Sequence, residues 1–358
     1  MWLVLRSRLR RAEAIVVEVE VWPGVGLTQQ QKASQSIFYL EHFKVVAHQR
    51  GTNDFDTKHT NVNMPQETVP WDVFPPTPKL DLSKAHQQGL LKTARGIRLW
   101  HAVFGIPLEK SLRAGRVPIL LMHGGVVSSD WNALQVDFLA PNYTVIVLDL
   151  PGHGRSPFDD RELSYPKLAG DVAGVLDVLK VPKVAIVSWS EGTMLAWSML
   201  AYGHHDRVDR MFAYSVLDDY RKADAEKVMG IWMVGEFFTR AQREWEEAHP
   251  GEKWDDFLGA WMKMWLREPI WTAETFKHLP IRGESKDAPI VWVVTGDHDE
   301  WIPPETHDRV AKFIPNSSYL KMPSAGHLTF MQQPAMYNRM IECFLEDTNV
   351  VSTLKASL

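Results

Sequence analysis

The tightest constraint on the fold lies at Val184-Ala185-Ile186-Val187-Ser188-Trp189-Ser190-Glu191-Gly192-Thr193, where an apolar β-type run meets a serine between small residues and continues as a helical pattern. An unbroken apolar run of this kind is what a strand covered on both faces requires. A strand that turns directly into a helix leaves almost no room at the bend, so the flanking positions must be small. Gly192 meets that demand in full, and Ser188 stands at the other flank. Such a bend puts the Ser190 hydroxyl within reach of a histidine and beside main-chain N–H groups that can receive an oxyanion, which a weak nucleophile needs. Ser190 could instead cap the helix behind it. The pentapeptide alone is weak evidence, and its weight comes from its surroundings.

Strand and helix patterns alternate on both sides of the bend. Residues 90–94 and 97–103 read as a hairpin through Arg95-Gly96. After a basic loop, residues 117–122 form a near-continuous apolar strand that runs into His123-Gly124-Gly125. Residues 144–148 form a second one, ending in Asp149-Leu150-Pro151-Gly152-His153-Gly154-Arg155-Ser156, whose glycines and proline suit a turn. A helix follows with Leu168, Val172, Val175, Leu176 and Leu179 on one stripe, then the bend at Ser190, then a strand over 211–216. The strand pattern resumes at 290–294 before Gly296-Asp297-His298-Asp299 and at 318–322 before Gly326-His327, and a last helix carries Met336, Met340, Ile341 and Phe344. This alternation predicts an α/β fold with a mostly parallel central sheet and helices on both faces.

Between Asp218 and Pro280 no buried strand pattern occurs, and Trp254, Phe257, Leu258, Trp261 and Trp265 make a helical stripe. Residues 218–280 are therefore expected to form a helical cap inserted into a core of 86–217 and 281–347. Residues 1–85 mix short apolar runs with proline-dotted polar sequence and are expected to be an extension, followed at the other end by a short tail, 348–358. Every motif lies after about Pro78, so the segment before it is expected to be dispensable for chemistry.

Composition excludes several function classes. A net charge of −5 argues against a nucleic-acid partner, since such proteins carry a basic excess. The single cysteine, Cys343, excludes an internal disulfide, and its apolar helical pattern predicts a buried, inert thiol. No apolar run approaches the length of a membrane span, which with the lone cysteine points to the cytoplasm. The arginine-rich first dozen residues leave a mitochondrial transit peptide as a second reading. Asn142-Tyr143-Thr144 and Asn316-Ser317-Ser318 match glycosylation acceptors with no secretion signal to support them, and His204-His205-Asp206 sits in a polar turn where solvated histidines are a better reading than a metal site.

The order of these motifs resembles the α/β-hydrolase fold superfamily over about residues 88 to 347: a glycine loop, Pro151-Gly152-His153-Gly154-Arg155-Ser156, the Ser190 bend, a cap, an acid after a late strand and a histidine near the end. Among its members the chain looks most like capped serine hydrolases of the esterase, lactonase and C–C hydrolase type, with Ser188 where the family usually has glycine. The resemblance implies Ser190 as nucleophile, His327 as general base and Asp299 as the acid that orients it, with Gly296 pointing to Asp299 over Asp297. Asp218 or Asp219 is the reserve acid. It also implies an oxyanion hole from the main-chain N–H groups of Glu191 and Gly125, the Glu191 carboxylate itself being explicable as an acid at a helix N-terminus.

Trp189 could line the pocket or pack the bend. Six of the 15 tryptophans fall in 218–280, Trp261 among them, and most should dock the cap while some face substrate in an apolar pocket. The activity implied is cleavage of a carboxylic ester, lactone or related acyl substrate through an acyl-enzyme, with no metal or organic cofactor and a small molecule as the partner. A C–C hydrolase or lyase using the same residues, and a non-catalytic small-molecule binding protein on the same fold, are the alternatives.

Overall fold

The computed structural model describes residues 69–347, apart from 160, 223–227, 229 and 316. The first 68 residues, with the arginine-rich leader and most of the expected extension, and the tail 348–358 lie outside the described residues.

Eight strands form one sheet in the order β1-β2-β4-β3-β5-β6-β7-β8. They are β1 (Gln87–Lys92), β2 (Arg98–Gly105), β3 (Ile119–Met122), β4 (Thr144–Leu148), β5 (Val184–Trp189), β6 (Val208–Tyr214), β7 (Ile290–Gly296) and β8 (Ser318–Met322). The hairpin β1–β2 is antiparallel, as is β2 against β4, and every other pair is parallel. Position follows sequence character. The largely apolar β3, β4 and β5 are buried at every residue and sit in the centre, whereas β1 and β8 are mostly exposed or partly buried and form the edges. Arg95-Gly96 turns the hairpin with Gly96 at φ 83°, a left-handed conformation that favours glycine.

The covering helices are α1 (Leu108–Arg113), α2 (Ala133–Leu139), α3 (Tyr165–Val178), α4 (Glu191–Ala201), then α5 (Trp232–Ala248), α6 (Trp254–Trp265) and α7 (Ala273–Phe276), and finally α8 (Pro304–Val310), α9 (Thr329–Gln332) and α10 (Pro334–Glu346). Helix α1 occupies the stretch that reads as a basic loop, its charged side chains on the solvent side and Ser111 buried. Between β6 and β7 lie α5 to α7, which carry the aromatic stripe. Among the described residues no helix is long and apolar enough to cross a membrane.

Two expectations need correction. Cys343 is exposed on α10, because the buried stripe of that helix runs through Tyr337, Ile341 and Phe344 and leaves position 343 on the solvent side. The last part of the expected extension is not separate from the domain, since the described residues from 69 onward belong to one compact unit. Residues 69–80 run across the body and the α5 helix as a strap. Trp71 stacks on His298 with ring centroids 3.8 Å apart, and Gln332 Nε2 donates to the Trp71 and Val73 carbonyls at 3.1 and 2.9 Å. The Arg240 guanidinium lies 3.8 Å over the Phe74 ring, Trp232 Nε1 donates to Asp72 at 2.7 Å, and Thr77 Oγ1 donates to Glu244 at 2.7 Å. A chain starting at residue 80 should therefore melt several degrees below one starting at residue 68, each kcal/mol being worth roughly 2–4 °C in a sizeable domain. Equal melting temperatures by calorimetry would show that the strap adds nothing.

Candidate active site

Strand β5 ends at Trp189 and α4 begins at Glu191, so Ser190 alone makes the turn, with φ 53° and ψ −120°. That conformation is costly for a residue with a Cβ and persists only where the surroundings over-determine it. Gly192 shows how they do so: a Cβ there would lie 2.4 Å from the Met122 carbonyl oxygen and 2.6 Å from that of His123, at the end of β3. Ser188 takes the other flank because its hydroxyl is small and donates to the Phe212 carbonyl at 3.1 Å.

The loops after β7 and β8 bring the other groups to Ser190. His327 Nε2 stands 3.1 Å from Ser190 Oγ, and His327 Nδ1 stands 3.0 Å from Asp299 Oδ1. With the carboxylate accepting the Nδ1 proton, Nε2 is left to accept from the serine. The Asp299 carboxylate also accepts from the main-chain N–H groups of Trp301 and Ile302, both at 3.1 Å. Burial alone would raise its pKa, but the charge and hydrogen bond of His327, with those of His307 and Ser215, hold it down at about 2.

The other candidate acids are engaged elsewhere. Asp297 accepts from the Ala325 N–H at 3.0 Å. Asp218 is clasped by Arg309 and Lys222 at 2.7 Å each, and Asp219 by Arg221 at 2.8 Å.

Two buried histidines hold the loops beside the serine. His123 Nε2 accepts from the Leu150 N–H at 3.0 Å, and His153 Nε2 accepts from the Val126 N–H at 2.9 Å. Their Nδ1 protons go to the Gly124 and Pro151 carbonyls at 2.7 and 3.0 Å. Burial lowers both pKa values, which keeps the rings neutral and able to accept. Gly125 thereby lies against the first turn of α4: a Cβ on it would be 3.3 Å from Glu191 Cβ.

The model of the alpha/beta hydrolase family matches residues 119–339. The chain belongs to that family. Among curated proteins it is 27% identical over 254 residues to the pimeloyl-[acyl-carrier protein] methyl ester esterase of Aeromonas hydrophila, covering 65% of this chain and 97% of that protein. Among solved structures it resembles a meta-cleavage product hydrolase from Pseudomonas fluorescens, with a TM-score of 0.57 and 18% identity over 74% of this chain and 98% of that one. The enol-lactonase from Burkholderia xenovorans aligns at a TM-score of 0.54 and 18% identity, over 72% and 100%.

In this alpha/beta hydrolase the sequence reading missed two neighbours of the His327–Asp299 pair. Ser215, at φ 62° just past β6, donates to Asp299 Oδ2 at 2.7 Å and lies 3.0 Å from His327 Nδ1. Trp301 stacks flat on the His327 ring, 4.7 Å away and 6° from parallel. Ser215 stands at the carboxyl end of β6 and Trp301 in the loop that follows β7. Trp189 and Trp261, the two tryptophans considered for a place at the substrate, are both packed in the core. Trp189 is 2% exposed, its Nε1 donating to the His327 carbonyl at 2.8 Å and its ring filling the space beside Gly124 and Phe330. Trp261 is fully buried with its edge on His153, 4.7 Å between centroids. Among the described residues no cluster of three or more His, Cys, Asp or Glu could hold a metal ion.

The Glu191 side chain is not on the surface either. Its Oε2 accepts from Tyr220 at 2.7 Å, Trp265 at 2.9 Å and Tyr165 at 3.2 Å, and burial raises its pKa to about 7. A carboxyl whose folded pKa lies above the unfolded value favours folding fully below the unfolded value of 4.5, and that contribution is lost as pH rises through about 7. Glu191→Gln should therefore gain in melting temperature relative to the native chain between about pH 5 and about pH 8. A difference that stays constant with pH would contradict the burial of that carboxyl.

Proposed function

We propose that the chain is a serine hydrolase that cleaves a carboxylic ester or lactone with an apolar acyl or alcohol part, by way of an acyl-enzyme. The observation that carries this reading is the hydrogen-bonded series Ser190, His327, Asp299 at 3.1 and 3.0 Å, set on a serine held at φ 53°. Ser190 Oγ attacks the acyl carbon as its proton passes to His327 Nε2. The oxygen of the tetrahedral intermediate is received by the main-chain N–H groups of Glu191 and Gly125, which cost no reorganisation because the bend and the histidine-braced loop already fix them. His327 gives its proton to the departing alcohol, and a water activated by the same nitrogen releases the acid. Asp299 stays ionised throughout, fixing the imidazole tautomer and stabilising the imidazolium. A binding protein without chemistry has no need of a strained serine aligned with a histidine and a buried carboxylate, which favours the enzyme over the receptor. The apolar substrate part is supported by the concentration of aromatic residues in the helical segment between β6 and β7, and the esterase among the relatives is consistent with it.

The nucleophile is tested by labelling with a fluorophosphonate probe. Native protein should label and Ser190→Ala should not, and an adduct mapped to Ser188 or any other residue would overturn the assignment.

Asp299→Asn should lower kcat by about 10⁴, the scale set by loss of the correct tautomer in serine proteases. Asp297→Asn should cost far less, and removal of Asp218 should show in melting temperature before it shows in rate, since its partners are Arg309 and Lys222. A rate loss at Asp218 equal to that at Asp299 would place the acid elsewhere.

A further inference from the structure

We propose that the side chain of Glu191 is a positioning residue that ties closure of the cap to the geometry of the oxyanion hole. The inference rests on the serine-hydrolase reading, in which the Glu191 N–H is one of the two oxyanion donors.

One oxygen of the carboxyl gathers donors from both layers of the molecule. Tyr165 opens α3 in the body, whereas Tyr220 lies in the chain leaving β6 for the cap and Trp265 is the last residue of α6 within it. The Tyr220 and Trp265 rings also pack on each other, with centroids 5.8 Å apart. The cap therefore holds the residue next to the nucleophile by two hydrogen bonds, and the body holds it by one. All three donors are spent on Oε2, and the group is buried, so none of these bonds competes with bulk water.

The second donor is tied to the same contact. The position a Cβ would take on Gly125 is 3.3 Å from Glu191 Cβ and 3.3 Å from Trp265 Cζ2, so this glycine is packed between the carboxyl-bearing side chain and the cap tryptophan. Moving Trp265 away withdraws one wall from Gly125 and one hydrogen bond from Glu191 together. Both N–H groups then lose part of what fixes them. A neighbouring pair of links strengthens the same seam: Glu268 accepts from the Tyr165 N–H at 2.8 Å, and Arg267 pairs with Glu162 at 2.6 Å. The end of α6 is thus fastened to the body beside the oxyanion loop. On that account the closed cap reinforces the two donors that the bend and the braced loop already hold, which directs the contact to the transition state and not to ground-state binding.

The test uses the full chain and a chromogenic p-nitrophenyl ester, with fluorophosphonate labelling as a second readout. Glu191→Ala should lower kcat by about tenfold or more while KM changes by less than about threefold, on the scale of a displaced oxyanion donor. The labelling rate should fall in parallel. Trp265→Phe, which removes the indole donor, should lower kcat in the same direction. The double variant should be little worse than Glu191→Ala alone, because both changes break one contact. Glu191→Gln keeps the accepting oxygen and the shape, so it should recover most of what alanine loses. Should Glu191→Ala fail to fold, Trp265→Phe and Tyr220→Phe carry the same comparison of kcat against KM. Losses that multiply in the double variant, a change confined to KM, or native kcat in variants that only melt earlier would each overturn the proposal. A native protein that neither labels nor hydrolyses would overturn the serine-hydrolase reading itself, whereas an active native protein with fully active variants sinks only the part given to Glu191.

Discussion

Everything at the candidate site depends on the close approach of Gly192 to the carbonyl end of β3. That contact lets α4 start within one residue of the end of β5, and the one residue left to make the turn is Ser190 at φ 53°. A side chain at 192 would collide with main chain, which cannot swing aside as a flexible side chain can. The strain at Ser190 is borne by the central strands, since β5 is laddered on both sides by β3 and β6. A buried parallel ladder is the most rigid support available in this architecture, and it holds the reacting hydroxyl without help from the solvent side.

The cap is joined to this frame mainly through rings. Trp245 donates to the Gly152 carbonyl at 2.8 Å, Phe257 and Trp261 meet His153 edge-on, and Phe237 meets Trp301 edge-on at 4.9 Å. Trp301 in turn stacks on His327, so cap, acid loop and histidine form one packed series. Aromatic side chains suit such a seam because each buries a large area with few rotatable bonds, and an indole or imidazole edge still offers a hydrogen bond. The abundance of tryptophan in 218–280 is explained largely by this docking.

Legibility in the sequence followed the distance over which each signal acts. The bend, the central strands, the glycine loop and the order Ser190, Asp299, His327 were readable, because buried parallel strands leave unbroken apolar runs and each site residue stands directly after one. The preference for Asp299 over Asp297 came from the family resemblance, in which a glycine such as Gly296 stands three residues before the acid. Ser215 and Trp301 went unread, since nothing local to either tells which loop it will meet after folding. The burial of Glu191 was equally hidden: an acid opening a helix has a sufficient local explanation, and its three partners are 26, 29 and 74 residues away. The strap at 69–80 was missed for a related reason. Its prolines and polar residues carry no periodicity, and what fixes it is Gln332, Arg240, Trp232 and His298, all far along the chain.

Three carboxyls surround the reacting groups, and their environments divide them. Asp299 is pulled down to about 2, whereas burial pushes Glu191 and Glu300 up to about 7 each, the charge of Asp299 adding to the rise at Glu300. Glu300 accepts from the His327 N–H at 3.0 Å, on the main-chain side of the same histidine whose ring meets Asp299. Had all three ionised readily, three negative charges would crowd together beside Ser190 and His327. Instead the lasting negative charge is placed at His327 Nδ1, and burial resists the ionisation of both Glu191 and Glu300. The three donors on Glu191 Oε2 satisfy that oxygen without requiring a full charge on it. Pulling the pKa values of like groups apart in this way lets one buried acid orient the base while its neighbours serve as hydrogen-bonded spacers between the loops.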